Sequence, residues 1–106
     1  MDIISKEKAL ALLEKTMKER FKLTASPRDV FKWETWARDV NVRIEAIFGS
    51  GSKQVEEITP LVLSIIGVPS NRQRVSGHIL AILKSFYSEI QDLWSDEGSG
   101  KMVEII

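Results

Sequence analysis

The chain has 106 residues, fifteen basic and fifteen acidic side chains, one histidine and no cysteine. That is one domain, long enough to bury somewhat over ~60% of its unfolded surface without covalent staples, and it excludes disulfides, thiolate metal sites and a catalytic cysteine. A formal charge of zero removes any global attraction to nucleic acid or to an anionic membrane, so binding of either kind has to come from a local patch.

The first residues, MDIISKEKALALL, start acidic and contain no uninterrupted apolar run. The expectation is therefore a cytoplasmic protein with neither signal peptide nor membrane span. A first helix is expected from about Lys6 to Phe21, capped by Ser5, with Glu7 in its positive first turn. Its apolar stripe reads Leu10, Leu13, Met17 and Phe21, broadened by Ala9 and Leu12. Lys6, Lys8, Glu14, Lys15, Lys18 and Glu19 fall mostly on the other side as a solvated face, with Glu14 and Lys18 at the favourable spacing.

KLTAS is a short link, which implies an antiparallel hairpin with the next helix. That second helix, Ser26 to Gly49, has the clearest marks in the chain. Ser26 is read as its cap, Pro27 as its first residue, Asp29 as a carboxylate reaching back, and Gly49 as its stop. Val30, Trp33, Ala37, Val40, Ile44 and Ile47 recur at steps of three and four, widened by Trp36 and Phe48. At about 1.5 Å per residue this is a rod of roughly 33 Å. Arg43 falls on its polar side, where truncation to alanine is expected to cost almost nothing.

After Gly49, SGSKQVEE is a small-residue turn in which Ser52 caps a short helix over Lys53 to Ile58. Pro60 is expected to interrupt it. Leu61 to Ile66 is apolar without alternation, either a buried strand or a short core helix; the helix is preferred because no partner strand is in view. Gly67, Val68 and Pro69 end that segment, and Ser70 with Gln73 reads as a capping box for the last helix. Val75, Ile79, Ile82, Phe86, Ile90 and Leu93 form its stripe, flanked by Leu83, Tyr87 and Trp94, and the helix stops near Ser95. The expected architecture is all-α: a small bundle of four principal helical segments, with 53–66 as an irregular crossover. Residues 1–97 make the domain, and 98–106 a flexible linker with an apolar MVEII tail.

Catalytic chemistry finds no foothold. His78 has no second histidine, cysteine or paired carboxylates at ligand spacing and reads as a half-buried structural residue. The serines lack a nucleophile elbow, and Gly49-Ser50-Gly51-Ser52-Lys53 lacks the spacing of a phosphate loop. No cofactor and no metal are expected. Trp33 and Trp36 have the chemistry of stacking platforms but lie on or beside the core stripe, with Phe31 and Trp36 the more exposed of the aromatics. Phe31, Trp36, Trp94, Val103 and Ile105 are the candidate partner-binding residues, being apolar side chains beyond what one stripe buries. The alternative is a helix-turn-helix-like regulator of nucleic acid, in which Arg72 and Arg74 open the last helix. The apolar anchors Val75 and Ile79 come too late for the usual tight turn.

Trp36-Ala37-Arg38-Asp39, then Ile44, then IFGSGS from Ile47 to Ser52 and apolar Ile58, resembles a pattern near the start of many bacterial defence-type proteins. There a helical module precedes effector parts such as TIR-like or HEPN-like domains. ILAILKSFYSEIQDLW is similar to the second half of that module, so the likeness runs roughly from Phe31 to Trp94. It implies a noncatalytic sensing, scaffolding or oligomerising module that binds protein partners or itself, linked to anti-phage defence.

Overall fold

In the computed structural model, which describes residues 4–94, the chain forms α1 (Lys6–Leu23), α2 (Val30–Phe48), α3 (Lys53–Gly67) and α4 (Arg72–Leu93), with a single 3-10 turn over Pro69–Asn71. Each helix packs against the one before and the one after it, and α1 closes the ring against α4. The all-α class, the four helical segments and the antiparallel α1–α2 hairpin are as expected, and α3 takes a full place in the bundle beside them. The α1–α2 and α3–α4 connections share one end of it: the Arg72 guanidinium donates to the Pro27 carbonyl, and Arg20 Nε to Ser76 Oγ at 3.3 Å. The α2–α3 turn lies at the other end, where Phe48 meets Phe86 and Trp94 edge-on at 5.3 and 5.9 Å between ring centroids.

Local chemistry sets most helix ends. Ser5 Oγ accepts from the Lys8 N–H at 3.2 Å, and Ser52 Oγ from the Val55 N–H at 3.2 Å, each meeting a donor that the first turn leaves unpaired. Gly49 ends α2 at φ +95°, a backbone region that side chains disfavour, and its N–H closes on the Glu45 carbonyl at 2.8 Å.

Two starts differ from expectation. α2 begins at Val30 with Asp29 as its cap, the carboxylate accepting from the Lys32 N–H at 3.1 Å. Ser26 lies in the turn before the helix instead, its carbonyl accepting from the Asp29 N–H at 3.1 Å and from the Trp33 indole at 3.2 Å. At α4 no Ser70–Gln73 capping box forms. The 3-10 turn occupies Ser70, Asn71 takes the cap position without a side-chain bond, and the Gln73 carbonyl accepts from the Ser76 hydroxyl.

The segment 53–66 is no irregular crossover: α3 runs unbroken through Pro60. A proline inside a helix costs about 3 kcal/mol. Ile58, Val62 and Ile65 are 0, 4 and 2% exposed, and burying three such side chains supplies roughly 5–9 kcal/mol. Continuity wins, and Pro60 sits on the exposed side.

The core runs through all four helices: Ala9 and Leu13; Trp33, Trp36, Ala37, Val40, Ile44 and Ile47; the three α3 residues; and Val75, Ile79, Leu83, Phe86 and Ile90. The α1 stripe is rotated from the expected one. Thr16 and Leu23 are buried, Met17 is half-buried, and Phe21 is 57% exposed. A threonine can lie inside because its hydroxyl donates to the Leu12 carbonyl at 2.7 Å, leaving no unpaired donor. Val30, on the expected α2 stripe, is 44% exposed, since the helix starts there. Residues 95–106, with the proposed boundary after 97 and the tail residues Val103 and Ile105, lie outside the described residues.

Two outcomes follow for stability. Ile44→Ala should cost about 2–5 kcal/mol, while Val42→Ala on the outer face stays within about 0.5; equal urea midpoints for the two would refute the α2 register. Pro60→Ala should raise stability by roughly 1–3 kcal/mol, because the helix regains a hydrogen bond where no packing depends on the ring.

Candidate partner-docking surface

The residues expected to face a partner separate once the bundle forms. Trp36 is 3% and Trp94 5% exposed, so both are corrected from surface anchors to core. The Trp36 indole donates to the Thr16 carbonyl at 3.0 Å across the α1–α2 seam, which lets its ring enter without an orphaned N–H. Trp94 packs edge-on against Phe48, and its indole N–H meets no acceptor among the described residues. Phe31 is the one that stays outside, at 77% exposure.

Phe31 stands over a groove of ≈ 310 Å³ between the C-terminal half of α1 and the N-terminal half of α2. Trp36 and Leu23, both core residues, also border it, so its inner wall is apolar. Lys22 comes from α1, Lys32 and Thr35 from α2, and Glu19 faces Asp39. Phe31, Thr35 and Asp39 follow at steps of four, a row the sequence shows once α2 is known to be a helix. Val42, 63% exposed, falls on nearly the same outer line as Phe31, three turns further along.

Beside the groove lies a polar clasp that periodicity cannot reveal. Arg43 Nη1 lies 2.5 Å from Glu19 Oε1 and donates to Thr16 Oγ1 at 2.9 Å, while Nη2 is 3.8 Å from Asp39 Oδ2. The Arg43 side chain is only 16% exposed, so it joins α1 to α2 instead of standing on a solvated face, and Glu19 leaves the set of purely solvated charges.

The alternative site also resolves into parts. The Arg72 guanidinium lies 5.6 Å from the Trp33 ring centroid and bonds the Pro27 carbonyl, joining α4 to the α1–α2 loop. Arg74 is exposed. α3 and α4 lie side by side: Gln54 at the start of α3 donates to Glu89, far along α4, at 3.0 Å. The two helices of a helix-turn-helix instead diverge at about 90–120°. His78 is exposed, not half-buried. Among the described residues no three His, Cys, Asp or Glu side chains cluster to hold a metal, and no helix is long and apolar enough to cross a membrane.

Arg43→Ala should therefore destabilise the fold by about 1–3 kcal/mol, since charge-assisted bonds at a shielded seam are lost together. Lys22→Ala, one turn from Glu19 on the same helix, should stay within about 0.5; thermal melts of the two variants decide it.

In comparisons with protein-family models, curated protein sequences and solved structures, none matches this chain.

Proposed function

We propose that this chain is a noncatalytic helical interaction module that docks a protein partner on the outer side of α1 and α2. Phe31 carries the reading: its ring is 77% exposed at the edge of an apolar-walled groove, although six other side chains of the same helix are in the core. Aromatic rings beside a concavity are common anchors of protein interfaces, and a groove between two helices suits an extended or helical segment. The noncatalytic part rests on the sequence, with one histidine, no cysteine and no nucleophile motif. The W…IFGxxS resemblance supports a sensing, scaffolding or oligomerising role beside bacterial anti-phage effectors, and with it a cytoplasmic setting.

The test is site-specific photo-crosslinking. A benzoylphenylalanine placed at position 31 should capture one predominant protein, or a second copy of the chain, while the same group at Lys84, exposed on α4, should not. Phe31→Glu should melt within about 0.5 kcal/mol of the parent and fail to compete for the captured partner. Equal capture from both positions, or capture of nucleic acid alone, would overturn the reading.

A further inference from the structure

The groove has a charge bias that the net charge of the chain conceals. Its two carboxylates share one guanidinium on the inner side: Glu19 is 2.5 Å and Asp39 3.8 Å from Arg43. Its two ammonium groups are less engaged. Lys22 makes no side-chain hydrogen bond or ion pair among the described residues. Lys32 lies 4.0 Å from Asp29, with both side chains well exposed at 59 and 41%, a pairing of little strength in water. Moreover, the Asp29 carboxylate is occupied as the α2 cap. The charges nearest Phe31 at the rim are thus the two ammonium groups, with the carboxylates of the groove turned toward Arg43, and they stand beside an apolar wall.

The same bias extends over that end of the bundle. Residues 20–32 and 67–76, which form its two connections, contain six basic side chains and one acidic. At the other end, residues 4–8, 45–57 and 89–94 contain three basic and six acidic. A chain of zero formal charge is therefore polarised along its length, and a field of one sign at one end selects the sign of what approaches it.

We propose, building on the docking reading above, that the α1–α2 groove takes a segment of a partner protein in which a large apolar side chain is flanked by carboxylates. The apolar side chain enters between Phe31, Leu23 and Trp36, and the carboxylates meet Lys22 and Lys32. The groove volume, ≈ 310 Å³, lies at the lower end of the range of about 300–1,000 Å³ for sites that enclose a ligand, enough for a single anchor. A nucleic-acid strand fits less well, because it brings no aliphatic anchor for the recessed wall formed by Leu23 and Trp36. A lipid surface fits less well too, since the apolar wall is recessed between helices instead of projecting.

A randomised dodecapeptide display library selected on the full chain tests this. The enriched peptides should share a Leu, Ile, Phe or Trp next to Asp or Glu. Their affinity, followed by fluorescence polarisation, should fall about tenfold or more in Phe31→Ala and in the Lys22→Glu, Lys32→Glu double variant, and should weaken with salt. All three positions lie on the rim and each variant is checked by its melt, so a loss of binding is not a loss of fold. A neutral or basic consensus that still needs Phe31 would overturn the acidic partner and leave the docking reading standing. No peptide dependent on Phe31 would overturn both. A twenty-residue oligothymidylate, or phosphatidylserine vesicles, bound through these same side chains in place of peptide would overturn the proposal in favour of a nucleic acid or a membrane.

Discussion

The bundle depends on one hydrogen bond more than its size suggests: the Trp36 indole N–H to the Thr16 carbonyl, 3.0 Å across the α1–α2 seam. An indole taken into a core without an acceptor forfeits part of what its burial contributes. This bond lets the ring pack between two helices that also share the apolar core through Ala9, Leu13 and Leu23. Thr16 serves the seam twice, accepting from Trp36 through its carbonyl and from Arg43 through its hydroxyl. Trp33 solves the same problem at the end of the bundle, where its indole donates to the Ser26 carbonyl and its ring face receives Arg72. Together the two tryptophans hold α2 against α1 and against the α3–α4 end.

The remaining seams are built differently. Between α2 and α3 the fit is mainly aliphatic, with the Thr59 hydroxyl lying 2.7 Å from Asn41 Oδ1 and 2.8 Å from the Val55 carbonyl. Between α3 and α4 the contact is aliphatic with the Gln54–Glu89 bond at its outer edge. Hydrophobic burial is non-directional, so it tolerates Pro60 within α3. The polar clasp at α1–α2 is directional and fixes how those two helices face each other. The groove lies on this seam, beside the clasp.

The proposed docking role needs a rigid support and an uncovered anchor, and α2 supplies both. Its inner side carries six core residues, while its outer side keeps Phe31 and Val42 in water. Holding the anchor on a packed helix and not on a loop limits the conformational freedom lost when a partner binds. The charges add a direction. Lysines at the mouth, with the carboxylates farther in turned to Arg43, are what the proposed site would use to select its partner by sign without giving the whole chain a net charge.

Periodicity and end signals in the amino-acid sequence were enough to establish the all-α class, four helical segments, the Ser5 and Ser52 caps, the Gly49 stop, and most of the α2 and α4 core. These features are local, determined by which residues fall on one side of a helix and which side chains reach its first free N–H groups. Tertiary structure decided what depends on distant partners. Thr16 is inside and Phe21 outside because Leu12 and Arg43 satisfy the threonine. Pro60 continues a helix because α2 and α4 bury its neighbours. Of the aromatic anchors, Trp36 went to the core and Phe31 stayed at the surface, although the two are only five positions apart on one helix. Sequence spacing places the two rings on different sides of α2, but only the packing of α1 against one of those sides decides which ring receives a carbonyl and which is left facing water.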